Sequence, residues 1–160
     1  MQMTQRITEG RYLTFSLAHE EYGVEMHRVL EILQASGIEP LSEGSSLIKG
    51  LLPWRGQKVP VLDLRRCLGK DEAERSSESC IVTVTAKGWE GNLSLMALLV
   101  DGVREVVQVW NENLEQASVL EEDPREEFLK GLVQCDERLV ILLDLDRLAR
   151  LDEVEEAKLP

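Results

Sequence analysis

The chain has 160 residues, 43% hydrophobic and 30% charged, enough apolar material for one domain or two tightly fused halves to fold unaided. Thirty Asp and Glu against eighteen Lys and Arg give a formal charge of -12, which repels phosphate backbones and anionic headgroups and argues against nucleic acid and direct membrane binding. No run of about 18 apolar residues exists, and Met1-Gln2-Met3-Thr4-Gln5-Arg6 lacks the apolar stretch of a secretion signal, so a cytoplasmic location is expected.

Residues 1–10 read as a flexible lead. In Arg11 to Leu17 the apolar Leu13, Phe15 and Leu17 alternate with Tyr12, Thr14 and Ser16, the period of a strand. His19-Glu20-Glu21 then makes a polar turn into Tyr22-Gly23-Val24-Glu25, predicted to be its antiparallel partner. Val29, Ile32 and Leu33 have helical spacing, so one or two helical turns are expected, followed by an extended piece broken by Gly37 and Pro40. Ile48 to Trp54 and Lys58 to Leu62 read as a hairpin with Arg55 and Gly56 at its tip, where glycine supplies a positive φ. Pro53 and Pro60 lack ladder donors and place this hairpin at an edge or a bulge. Asp63 caps a short helix, Leu64 to Leu68, that Gly69 closes.

Residues 70–79, charged and serine-containing, read as the internal linker where two halves meet. Beyond them come strand Ile81 to Thr85, a loop through Gly88 and Gly91, and strands Leu95 to Val100 and Val103 to Val109 broken at Asp101-Gly102. Asp123-Pro124 resembles an N-cap followed by proline at the first helical position, so a short acidic helix to about Lys130 is expected. Strand Leu132 to Cys135, turn Asp136-Glu137 and strand Leu139 to Leu143 follow. A helix capped by Asp144 and a frayed tail over 153–160 end the chain.

Residues 48–64 align without gaps on 129–145 at an offset of 81, with seven of seventeen positions identical: Lys49/Lys130, Gly50/Gly131, Leu51/Leu132, Val59/Val140, Leu62/Leu143, Asp63/Asp144 and Leu64/Leu145. Glycine before a hairpin, an apolar strand and an Asp-capped helix recur in the same order. A weaker echo relates Val29-Leu30-Glu31-Ile32 to Val103-Arg104-Glu105-Val106. About five short strands per copy suit a small barrel. The expected fold is therefore mainly β, with two fused five-stranded, SH3-like barrels and short capping helices. It spans 11–152 as a single domain with two pseudo-repeated subdomains at about 22–79 and about 80–144, the first strand and the C-terminal helix crossing between them.

Chemistry is sparse. Cys67, Cys80 and Cys135 form no C-x-x-C pair and read as reduced thiols. His19 and His27 are eight positions apart, too far for a helical zinc pair, and neither has a partner pattern for nucleophilic catalysis, so no metal and no cofactor is expected. Gly88 and Gly91 form no phosphate-binding pattern. Carboxylates are so numerous that adjacency alone is weak support for a hidden enzyme, and the runs Glu121-Glu122-Asp123 and Glu126-Glu127 read as solvated faces. Trp54 reads as a core anchor or, beside Arg55, as a surface platform. A small-barrel nucleic-acid binder would need a basic groove with stacking aromatics, which this sequence does not supply. What is left is a rigid double barrel that binds protein.

From Arg11 to Leu151 the sequence resembles the CheW family of chemotaxis coupling proteins. Glu20-Glu21-Tyr22-Gly23-Val24-Glu25 with Val29-x-Glu31-Ile32 is similar to the family's E-x-Y-G-[VI]-D and V-x-E-I. Ile48 to Gly56 with Val59 to Arg65 is similar to I-K-G-V-x-N-L-R-G and V-P-V-x-D-L-R. Val100 to Val106 is similar to V-D-G-V-x-D-V, and Gly131 to Leu145 to the closing G-L and D-x-R-L-x-I-L-L-D-L. Three positions depart: Pro53-Trp54 stands for Asn-Leu, His27 for an apolar or basic residue, and Leu33-Gln34 for Arg-Gly.

The resemblance implies a non-enzymatic scaffold that couples the cytoplasmic tips of chemoreceptors to the regulatory domain of a CheA-type histidine kinase. Within the family's role, the alternative is a chemosensory pathway controlling pili or development. Carried onto matching positions, the receptor-facing groove includes Val29, Glu31, Gly50, Arg55, Gly56 and Val103. Arg55 can serve there as a contact, or internally by bonding Glu31. Gly50 can simply permit close backbone approach, and Val29 can be core.

Overall fold

The computed structural model describes residues 9–41, 47–71, 76–88, 90–110, 112 and 126–150. Its strands are β1 (Gly10–Leu17), β2 (Glu20–Glu25), β3 (Val29–Gln34), β4 (Glu39–Pro40), β5 (Ile48–Trp54), β6 (Gln57–Asp63), β7 (Cys80–Lys87), β8 (Leu93–Val100), β9 (Gly102–Val109), β10 (Leu129–Cys135) and β11 (Arg138–Leu143). Helix α1 (Leu64–Cys67) follows β6, and helical backbone over 145–150, α2, follows β11. Asp63 Oδ1 accepts from the Arg66 N–H at 3.4 Å and Asp144 Oδ1 from the Arg147 N–H at 3.2 Å, so both repeat copies cap their helix with the expected aspartate.

The strands make two sheets, in the orders β10-β11-β2-β1-β9 and β3-β7-β8-β6-β5-β4. The mainly β, two-unit character matches the expectation, but the division near residue 79 does not describe the sheets. The hairpin β1–β2 of the first sequence half lies in a sheet with β9, β10 and β11, and the hairpin β7–β8 of the second half lies with β3 to β6. The two halves have exchanged hairpins. Each exchange uses the same pairings: β2 runs parallel to β11 as β8 does to β6, and β1 pairs antiparallel with β9 as β7 does with β3. A hairpin satisfies its own inner ladder, so the repeat pattern does not say which copy it completes. β6 and β7, the strands on either side of the segment 70–79 expected to separate two units, belong to one sheet; residues 72–75 of that segment lie outside the described residues.

Neither sheet closes into a full barrel among the described residues, although both curl. Tyr12, Val109, Val133, Cys135, Val140 and Leu142 form a small core inside the first sheet, drawing on strands from both ends of its ladder. Leu52, Val59, Val61, Ile81 and Ala97, with Leu33, Trp54 and Leu95 packed on them, do the same inside the second. A ladder between β3 and β5 is blocked because β4 already occupies the far edge of β5. Between the sheets lies the main core, built from Leu13, Phe15, Tyr22, Val24, Val82, Val84, Met96, Leu98, Ile141 and Leu143 and closed by Leu64, Leu145 and Leu148 of the helices. With a core on each face, β8 and β11 read as near-continuous apolar runs, Leu-Met-Ala-Leu-Leu-Val and Leu-Val-Ile-Leu-Leu.

The helix expected over Val29 to Leu33 is a strand preceded by a 3-10 turn, Met26–Arg28. A bulge explains the misleading spacing. Val29 pairs with Val84, Glu31 with Thr83 and Ile32 with Val82, so Leu30 is the extra residue and Val29 and Ile32 fall on one face three positions apart. The same bulge recurs in β9, where Val103 pairs with Phe15, Glu105 with Thr14 and Val106 with Leu13. Where the acidic helix is expected to reach Lys130, the described residues show a 3-10 turn at Glu126–Phe128, with β10 starting at Leu129; its expected start at Asp123-Pro124 lies outside the described residues.

Candidate functional site

The hairpin β5–β6 joins Trp54 to Gln57 through two residues, Arg55 with φ 49 and Gly56 with φ 80. Two successive positive φ values match the right-handed twist of the flanking strands. Glycine takes the second at no steric cost. The turn therefore projects Arg55 from a rigid ladder, and its side chain is 67% exposed.

Glu31 stands opposite, on the edge strand β3. Its Oε1 accepts from Trp54 Nε1 at 2.9 Å and from Arg55 Nη2 at 3.3 Å, while the Arg55 guanidinium carbon lies 4.6 Å from the centroid of the Trp54 ring. One carboxylate thus bridges the open rim of the curled sheet from β3 to β5. Trp54 combines both of its expected roles: its half-buried ring packs on the sheet's inner core, and its upper face carries the guanidinium. Glu31 is itself placed by the Thr83 hydroxyl, which donates to the Glu31 carbonyl at 3.2 Å. With one side held by Glu31, the rest of the guanidinium fork faces solvent, a geometry suited to carboxylates and helix-end carbonyls.

Of the six residues singled out by sequence, the structure brings Glu31, Arg55 and Gly56 together. Gly50 is buried under β4: an added Cβ would meet the Glu39 carbonyl oxygen far inside contact distance and Ile38 Cγ2 at 2.8 Å. Val29 is half-buried against the main core, on the opposite face of β3 from Glu31. Val103 occupies the equivalent place on β9, at the edge of the other sheet. Val29 and Val103 are thus a related pair, each packed against the main core from the edge strand of a different sheet.

Sequence reasoning missed the counterpart of the bridge in the first sheet. Glu105, the echo of Glu31, pairs with Arg138, which also lies 3.3 Å from Glu21 through its Nε. Arg104 Nε stands 3.6 Å from the same Glu21. The V-x-E-I and V-x-E-V echo contained the signal. Also unforeseen are the apolar residues left exposed beside the core's flanks, Leu30 and Ile32 on β3 and Val106 on β9.

Among the described residues, clefts away from this rim open on the first sheet. A groove of about 750 Å³ is lined by Ser16, His19, Glu20, Glu21, Arg104, Leu132, Leu139 and Ile141, and a smaller one of about 340 Å³ lies beside Glu105, Trp110 and Arg138. None of the six expected residues lines either. The carboxylates in the larger groove are ion-paired, Glu20 with Lys70 at 2.7 Å and Glu21 with Arg138. Cys67, Cys80 and Cys135 are free thiols, and burial pushes that of Cys135 up.

A family model described as the CheW-like domain matches residues 11–153. The chemotaxis protein CheW of Klebsiella aerogenes is 29% identical over 143 residues, covering 89% of this chain and 83% of that protein. The protein of the same name from Thermotoga maritima is 26% identical over 154 residues, with 96% and 97% covered. Protein FrzA of Myxococcus xanthus is 40% identical over 65 residues, 41% of each chain. Among solved structures, the scaffolding protein TtCheW of Thermoanaerobacter tengcongensis superposes with a TM-score of 0.74 at 26% identity, over 88% of this chain and 92% of that one.

Proposed function

The chain belongs to the CheW-like domain family, and from that premise we propose that it is a non-enzymatic adaptor coupling chemoreceptor cytoplasmic tips to a CheA-type histidine kinase. It works in the cytoplasm and is recruited to membrane-associated receptor arrays. Val29, Glu31, Gly50, Arg55, Gly56 and Val103 are the proposed interaction set, with Arg55 as the direct contact. The carrying observation is that Arg55 is exposed, held on a two-residue turn, and steadied from below by Trp54 and from the side by Glu31. A preorganised guanidinium loses less conformational freedom on binding than a free one.

The remaining residues have supporting tasks. Glu31 aims the guanidinium, Gly56 permits the turn, and Gly50 lets β4 lie close over the hairpin. Val29 and Val103 join the edge strands to the main core, so a shift in one sheet's edge is felt by the packing both sheets share. Coupling by such an adaptor rests on different contacts in different states of its partners.

Titration calorimetry against a receptor cytoplasmic fragment tests the reading. Arg55→Ala is expected to keep its melting temperature and lose about 1–3 kcal/mol of binding, as a central arginine does. Unchanged affinity would remove Arg55 from the contact. A role in pili or development instead of flagellar control is the alternative, motivated by Trp54, whose bulk stands where the family commonly has leucine. Affinity capture from the native cytoplasm, scored for the receptor and kinase recovered, separates the two pathways.

A further inference from the structure

Among the described residues the chain passes from one sheet to the other twice, and an ion pair sits at each passage. The first passage is the turn Met26–Arg28, between β2 and β3. Arg28 Nη1 and Nη2 donate to Asp146 Oδ1 and Oδ2 at 2.5 and 3.1 Å, and Asp146 Oδ1 also accepts the Lys87 N–H at 2.7 Å. The second passage is Asp101, between β8 and β9. Its Oδ2 accepts Arg65 Nη2 at 2.7 Å and the Ala18 N–H at 2.9 Å, and its Oδ1 accepts Arg65 Nε at 3.4 Å.

The two sites join the same kinds of element: a passage from one sequence half, the helix of the other half, and the end of the first strand of a hairpin. Arg65 lies in α1 and Asp146 in α2, at equivalent repeat positions 81 apart. Yet the charges are reversed. In one site the passage is cationic and the helix anionic; in the other the passage is anionic and the helix cationic. Glu25, 3.5 Å from Arg28 and 3.4 Å from Lys130, adds a further anion beside the first site, and Arg65 also donates to the Asp71 carbonyl beside the second.

A duplicated unit presents its association surfaces twice. The first half could therefore pair with the first half of another molecule as readily as with the second half of its own chain. Like-with-like pairing would bring Arg28 against Arg65, and Asp101 against Asp146. Side chains of Arg28 and Arg65 are each only 19% exposed, so solvent would screen the Arg28–Arg65 contact poorly, while Asp146 at 24% and Asp101 at 38% leave the contact between carboxylates more screened. Only unlike halves place opposite charges at both sites. We propose that this reversed polarity forces each half to associate with its complement and not with its own kind in a second copy of the chain, which suppresses oligomers linked by like halves.

Exchanging charges at one site or at both tests this on the full chain. R28D/D146R keeps both native pairs attractive but makes both like-half pairs attractive as well. The fourfold variant R28D/D146R/R65D/D101R restores repulsion between like halves. Each variant is refolded over a range of concentrations and analysed by size-exclusion chromatography with light scattering. The twofold exchange is expected to raise the dimeric and larger fraction about tenfold over wild type, and the fourfold exchange to return it to the wild-type value. If the charges matter only locally, the fourfold variant must behave worse, because both backbone N–H groups then face guanidinium groups. Equal distributions for all three proteins, or a fourfold variant more associated than the twofold one, would overturn the proposal. If the exchanged variants do not fold, R28Q/D146N carries the comparison: it removes both like-half repulsions, and a wild-type distribution for it refutes the idea.

Discussion

Glu31 accepts two donors from one hairpin, and each donor responds differently to its loss. Trp54 packs on the inner core of its sheet and keeps its place, with its N–H turning to water, whereas Arg55 loses its lateral support. Glu31→Ala is therefore expected to cost less than about 1 kcal/mol of stability, as a solvent-exposed pair does, while weakening receptor-fragment binding through the freed guanidinium. A loss of folding equal to the loss of binding in chemical denaturation would show instead that the bridge is structural. Gly50 makes the opposite prediction. Its neighbours at contact distance include the Glu39 backbone, which cannot rotate aside, so Gly50→Ala must displace β4. A destabilisation of about 1–3 kcal/mol is expected, read as a lowered denaturation midpoint. The tip glycine Gly56 was legible from sequence through its turn chemistry; the tight approach at Gly50 was open to more than one reading because nothing local reveals that a two-residue strand lies across it.

Short hairpin turns and helix caps, which depend on neighbouring residues, were readable at the level of elements, and the β-bulges of β3 and β9 were not. An extra residue in β3 converts the period of a strand into an i, i+3 spacing that imitates a helix, and the equivalent bulge recurs in β9 between Val103 and Glu105. The C-terminal helix was expected from its Asp144 cap, but its anchor was not, because Arg28 and Asp146 are 118 positions apart. Burial would raise the Asp146 carboxyl, yet the Arg28 side chain and the Lys87 N–H outweigh it and hold the group below its ordinary value. A carboxyl depressed on folding stabilises the native state in full above its unfolded pKa, and that contribution vanishes as pH falls through the depressed folded value. Asp146→Asn is thus expected to cost about 1–3 kcal/mol near neutral pH. The gap to wild type should stay constant down to about pH 5 and close under more acidic conditions. Melting curves taken between neutral pH and the acid limit check this, and a gap that widens on acidification would reverse the assignment.

At the scale of the whole molecule, the repeat was visible and its exchange was not. Seven identities at a fixed offset report descent from one unit, but they carry no information on which copy of a hairpin completes which sheet. The exchange follows from short passages: three residues between β2 and β3 and one between β8 and β9 carry the chain directly into the other sheet. Each sheet therefore takes two strands from one half and the rest from the other, and the main core between them draws on both, from Phe15 and Tyr22 through Val84 and Leu98 to Ile141 and Leu143. Independent barrels would fold when separated. Halves that lend each other a hairpin would not, since each would keep edge strands and an apolar face with nothing to cover them. Cutting the chain in its charged stretch, into 1–73 and 74–160, is expected to give two fragments that each lack a cooperative thermal transition and a near-ultraviolet dichroism signal. Mixing them should restore both, with a midpoint of equivalence at one to one. A cooperative transition in either fragment alone would mean that a half can complete a sheet from its own strands, and the shared core would then be an interface between two self-sufficient units.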